Sequence, residues 1–231
     1  MKNSVLTSKK SYSSTIHIGF WGMVLSVLLV FILTNSCGTL PKVSLPPGAH
    51  ERPVSWFRSD TGHFLFNTSI NVMKNHFSGL TVVKPLKMDN YRVIMITETG
   101  LKILDMEFFP DSLPKVHYIM EQMNRRILVR TLQKDMSIML MNHLQNTAPV
   151  WYDNFIINPG NTALFKVNGE KYFYIMEPEQ VRPSVALLGK GRKFNVEVNF
   201  FGTPDRGIDS LKLSHNNINL SIRLSRIHEL K

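Results

Sequence analysis

His63-Phe64-Leu65-Phe66-Asn67-Thr68-Ser69-Ile70-Asn71-Val72-Met73 alternates for eleven residues. Phe64, Phe66, Ile70 and Val72 fall on one face, and Asn67, Ser69 and Asn71 on the other. Successive strand side chains point to opposite sides, so this is the pattern of a strand with one dry face and one wet face. Working outward, Leu80 to Leu86, Tyr91 to Glu98, Leu101 to Phe109 and Lys115 to Met120 read as further strands, separated by Met88-Asp89-Asn90 and Thr99-Gly100. Such short turns imply antiparallel neighbours. Parity places Val116, Tyr118 and Met120 on one face. Tyr91 to Glu98 is apolar on both faces, which requires cover on both sides.

The period then changes. From Arg125 to Leu144 the apolar positions Leu128, Val129, Leu132, Met136, Met139 and Leu140 gather on one side of a helix, with Asn124 placed to cap it. Arg126, Arg130 and Lys134 recur every fourth residue on the far side. Strands resume at Thr162 to Val167 and Lys171 to Met176, around the hairpin pair Asn168-Gly169. Phe194 to Phe201, Leu211 to Ser214 and Ile218 to Leu224 follow, while Glu177 to Lys193 and Gly202 to Gly207 read as loops. The class expected is mainly β (α+β), with about ten antiparallel strands and one long amphipathic helix.

Composition sets the context. The 231 residues are 43% hydrophobic and 19% charged, which excludes a disordered or collagen-like chain. A single Cys excludes a disulfide framework and every multi-Cys zinc pattern. Met1 to His17 carries Lys2, Lys9 and Lys10 without an acid, and Ile18 to Leu33 is uncharged and rich in Val, Leu, Ile and Phe. This is the charged and apolar sequence of an export signal; an uncleaved membrane anchor is the alternative. Either reading leaves the basic flank inside and the rest of the chain outside the cytoplasm.

Leu33-Thr34-Asn35-Ser36-Cys37-Gly38, at the end of the apolar run, resembles a bacterial lipoprotein signal. The resemblance implies cleavage before Cys37 and acylation there, and two or three acyl chains anchor stably where one does not. Thr34 stands where that pattern usually has Leu. The organisation expected is a signal peptide over 1–36, a Pro-rich extended tether over 37–55 and one domain over 56–231. Removing 1–36 takes away three Lys and no acid, leaving 195 residues with net charge +7.

Strands around one helix, behind such a signal, resemble the lipoprotein-localisation carrier and acceptor family with its LolA/LolB-like fold. Gly100 to Asp105, Leu128 to Met136 and Leu213 to Leu224 carry the likeness. It implies a curved, incomplete antiparallel barrel whose helix covers an apolar concavity. Phe64, Phe66, Met95, Met106, Phe108, Tyr118, Met136 and Met139 are expected to line that concavity, each from strand parity or helix face.

Catalytic patterns are missing. The eight His have no helix-borne metal spacing, there is no Gly-x-Ser-x-Gly elbow, and Gly189-Lys190-Gly191-Arg192-Lys193 lacks the strand-to-helix setting of a phosphate loop. No enzyme activity, cofactor or metal is expected. Nine of the twelve Met lie between Met73 and Met141, which suits a pocket that adapts to acyl chains or, equally, a core with irregular gaps. The stripe Arg126, Arg130, Lys134 is placed to meet anionic head groups, against the ordinary reading of a solvated helix face. The function expected is a periplasm-facing envelope lipoprotein, with the outer membrane as default destination, that binds acyl chains of a lipid or another lipoprotein. Its rival is a structural or interaction lipoprotein with a filled core. Nucleic acid is excluded as a partner by export.

Overall fold

The computed structural model describes residues 52–58, 62–144, 146–153, 161–177, 180–190, 193–203 and 205–228. All belong to the unit Val43–Lys231. Cys37, the signal segment 1–36 and residues 37–51 of the expected tether lie outside the described residues.

Twelve strands form one antiparallel sheet. They are β1 (Phe64–Val72), β2 (Asn75–Pro85), β3 (Tyr91–Ile96), β4 (Lys102–Phe108), β5 (Lys115–Ile119) and β6 (Val150–Asp153), then β7 (Asn161–Val167), β8 (Glu170–Met176), β9 (Pro183–Lys190), β10 (Lys193–Thr203), β11 (Gly207–His215) and β12 (Leu220–Arg226). Among the described residues one α-helix, α1 (Arg126–Leu140), stands with them. The order across the sheet is β5-β4-β3-β2-β1-β12-β11-β10-β9-β8-β7-β6. Two meanders, β1 to β5 and β6 to β12, are thus joined where β1 pairs with β12, from Phe66 opposite Arg226 to Val72 opposite Leu220. β5 and β6 do not pair with each other, so the sheet is not closed into a barrel. The chain between those two free edges carries α1.

The alternation of β1 is realised as read: Phe64, Phe66, Ile70 and Val72 are buried, and Asn67 and Asn71 exposed. Asn168 and Gly169 both have positive φ, 52° and 78°, as a two-residue hairpin of the primed type requires. Several details differ from the sequence reading, beginning with twelve strands where about ten were expected. The Glu177 to Lys193 stretch is not a loop throughout, because β9 occupies its second half. Pro183 sits at the first residue of that strand, where a missing N–H is tolerated. Ala186 and Leu188 face the main core while Leu187 joins a second cluster with Leu164, Phe173 and Ile175, so the apolar run shows no alternation.

The helix is also shorter than expected. It spans Arg126–Leu140 and stops at Met141, which adopts a left-handed conformation with φ 59°. Asn124 does not cap it; its backbone N–H closes the preceding turn onto the Glu121 carbonyl. Arg125 occupies the N-cap position, and its side chain makes no capping hydrogen bond. Packing rather than capping therefore holds α1: a cap contributes about 1 kcal/mol, whereas Leu128, Leu132, Met136 and Met139 are buried at about 1.5–3 kcal/mol each.

The described end of the Pro-rich stretch lies along the body. Val54 N–H donates to the Val181 carbonyl at 2.8 Å, and Trp56 Nε1 to the Pro183 carbonyl at 2.7 Å. Phe57 meets Phe64 edge-on at 5.5 Å.

Gly79 shows how closely the strands approach: a Cβ there would run into the carbonyl of Ile96 on β3. Since backbone cannot step aside cheaply, Gly79→Ala is expected to lower stability by about 1–3 kcal/mol, read as a shifted urea midpoint with unchanged slope.

Candidate functional site

The site is the layer between α1 and the inner face of the sheet. Tyr91, Val93 and Met95 of β3 lie opposite Phe108, Met106 and Leu104 of β4, and all six are buried. Phe64 and Phe66 continue the layer across β1, and Met136 and Met139 close it from the helix. Seven of the eight expected lining residues, Phe64, Phe66, Met95, Met106, Phe108, Met136 and Met139, therefore share one apolar cluster, each no more than 7% exposed. That cluster is packed.

Tyr118 is the exception. It lies opposite Asp105, on the other face of β4, and is 43% exposed with the Lys102 ammonium 5.9 Å from its ring. A bulge is the reason. Met106 pairs with Val116 but Asp105 with Tyr118, so one extra residue on β5 inverts parity midway along the strand. Val116 and Ile119 take the inward places.

On the outer face of that region Asp105 is buried yet fully paired. Arg92 forks onto it at 2.9 and 3.0 Å, and Lys102 donates at 3.0 Å. The Arg92 hydrogen bond, foremost, holds the Asp105 carboxyl below its usual range.

α1 is tied to both meanders. Gln133 donates to the Pro114 carbonyl at 3.0 Å and Asn142, just past the helix, to the Phe109 carbonyl at 2.9 Å. From the other meander, Tyr174 Oη donates to the Ile138 carbonyl at 3.1 Å. Lys134 lies 2.6 Å from Glu170, which compensates one of the three charges in the basic stripe; Arg126 and Arg130 are exposed.

The deepest tie is polar. Asp135 is completely buried, and His215 Nε2 lies 2.9 and 3.0 Å from its two oxygens. Burial pushes the Asp135 carboxyl above the usual range, against the pull of His215. Both residues escaped the sequence reading, although a signal existed: Asp135 falls on the apolar stripe Leu128, Leu132, Met139, where a charge has no business without a partner. The ring nitrogens of His143 are also buried, and its ring packs 4.4 Å from that of Tyr172. Burial lowers its pKa to about 4, despite the Ser137 carbonyl and the Glu170 carboxylate. Among the described residues no three His, Cys, Asp or Glu side chains gather within metal-ligating reach, and no helix is long and apolar enough to cross a membrane.

Beyond the helix C-terminus lies a cavity of about 90 Å³ with Met141, Leu144 and Phe165, members of the same apolar cluster, in its wall.

An open antiparallel sheet holding one helix on its inner face defines the class of this protein. No family model and no curated protein matches the sequence. Solved structures similar to the chain include a LolA superfamily protein from Nitrosomonas europaea, at 11% identity and TM-score 0.45 over 76% of this chain and 90% of that one. Another is a domain assigned to outer membrane lipoprotein sorting from Vibrio parahaemolyticus, at 10% identity and TM-score 0.47 over 77% and 86%. A third is a DUF1329 family protein from Desulfovibrio piger, at 6% identity and TM-score 0.44 over 72% and 83%.

Two predictions follow from the buried polar groups. Asp135→Ala, which leaves His215 buried without its partner, is expected to cost about 3 kcal/mol, and joint replacement by Leu at 135 and Phe at 215 to recover at least half of that in urea unfolding. His143, neutral when folded, contributes stability that is complete above its ordinary pKa of 6.5 and is lost as pH falls toward about 4. Protonation then favours the unfolded chain by roughly 3 kcal/mol; His143→Phe should flatten that part of the Tm-against-pH curve.

Proposed function

We propose that the protein is an envelope lipoprotein, anchored through acylated Cys37 and facing the periplasm from the outer membrane. Its sheet and helix hold acyl chains of a lipid or of another lipoprotein between them, as a binding module without turnover. The observation that supports this is the bridge made by α1: the helix connecting the two free edges of an open sheet covers an inner face lined by Phe64, Phe66, Met95, Met106 and Phe108. The helix meets that face through Met136 and Met139, whose unbranched thioethers repack at low cost. Acyl chains would take the place that these side chains fill in the closed state.

A second reading is favoured by the packing. Seven candidate residues at 0–7% exposure also describe a filled core, and a structural or interaction lipoprotein of an envelope complex needs nothing more.

Growth of cells expressing the full chain with a photoreactive palmitate analogue separates the readings. Acylation predicts label at Cys37 that is lost in Cys37→Ala. Acyl binding predicts additional, light-dependent label in the peptides of β1, β3, β4 and α1 in both proteins. Label confined to Cys37 favours the filled-core reading, and an unlabelled chain with Met1 intact removes the lipid anchor.

A further inference from the structure

The cavity past the end of α1 has two unlike walls. One is apolar and belongs to the core beneath the helix: Met141, Leu144 and Phe165. The other is made by the chain that leads into β1, and carries Arg52, Ser55 and Arg58, with Asp89 and Tyr91 beside them. At about 90 Å³ it has room for a group the size of a few waters, far below the ~300 Å³ at which pockets begin to hold whole small molecules.

Its charge favours an anion. Two arginines and one carboxylate, Asp89, stand among the lining residues. Arg52 is fixed in place: Nη2 donates to the carbonyls of Leu144 and, at 3.2 Å, of Thr147, and the guanidinium lies 5.8 Å from the Phe165 ring centre. A guanidinium has five N–H donors. Among the described residues these two carbonyls take Nη2, and it is by paired hydrogen bonds from such a fork that arginine recognises planar or tetrahedral oxyanions. Ser55 and Tyr91 place two hydroxyl-bearing side chains in the lining, and the Ser55 hydroxyl accepts from the Phe57 N–H at 3.2 Å.

We propose that this cavity holds the phosphate group of an amphiphile whose acyl chain runs into the layer between α1 and the sheet. The inference deepens the acyl-binding reading and rests on it for the chain; the phosphate contact rests on Arg52 and Arg58 alone. It names the ligand class as a phosphate-bearing lipid and gives the bound molecule a fixed direction.

Calorimetric titration of the full chain in a non-ionic detergent tests it, with three probes: inorganic phosphate, dihexanoyl phosphatidic acid and uncharged dihexanoylglycerol. Phosphatidic acid is expected to bind at least tenfold more tightly than dihexanoylglycerol. Arg58→Ala, at an exposed position, should remove most of that preference while leaving dihexanoylglycerol binding unchanged. Arg52→Lys keeps the charge but not the fork, and should weaken phosphatidic acid severalfold with a native unfolding curve. Equal affinity for the two lipids, or a preference that survives both substitutions, overturns the phosphate site while acyl binding stands. Arginine-dependent binding of inorganic phosphate without either lipid supports the anion site, with free phosphate as its source, and sinks the acyl reading. Absence of binding by all three overturns both.

Discussion

Everything in this molecule hangs on the pairing of β1 with β12. Without it the chain is two meanders, each with a one-sided apolar face and nothing to enclose. With it, Ile70 stands opposite Ile222 and Val72 opposite Leu220, and a single inner face runs from β5 to β6. These partners are about as far apart in sequence as the domain allows, so the loop-closure entropy is large and is recovered only when the whole face is in place. The helix, emitted between the two outer edges, is then held by both meanders, through Gln133 to the Pro114 carbonyl and Tyr174 to the Ile138 carbonyl.

Strands that are wet on one side were readable residue by residue. β1, with Phe64, Phe66, Ile70 and Val72 inward, and β12, with Leu220, Ile222 and Leu224 inward, follow the parity of their sequences. What escaped were places where a local rule is broken by tertiary structure. In β9, Val185-Ala186-Leu187-Leu188 is apolar on both faces and framed by Pro183 and Gly189, so burial from two sides looked like a loop. The β5 bulge reversed Tyr118, since parity counts residues and a bulge adds one. Short β6 gave too few residues to show a period.

For the candidate site, the apolar members were legible because hydrophobic burial is non-directional and needs only the correct face. Polar members were not. Asp135 and His215 are 80 residues apart, and neither has a partner until β11 has been placed under α1. A charge on an apolar stripe announces that a partner exists without naming it. Likewise the Arg52 contacts with Leu144 and Thr147 join segments that no local pattern connects.

The softness of the interior has a chemical cost outside packing. Seven methionines, Met95, Met106, Met123, Met136, Met139, Met141 and Met176, are buried. Each sulfur is one oxygen atom away from a sulfoxide, which is polar, chiral and unsuited to a dry layer. While α1 is seated, burial shields all of them but Met141, which lines the cavity, from dissolved oxidants. If acyl chains enter by displacing α1, as proposed, each entry would expose them, their sulfoxides would accumulate as a chemical record of how often this interior has been open, and the modified side chains would then oppose its closing.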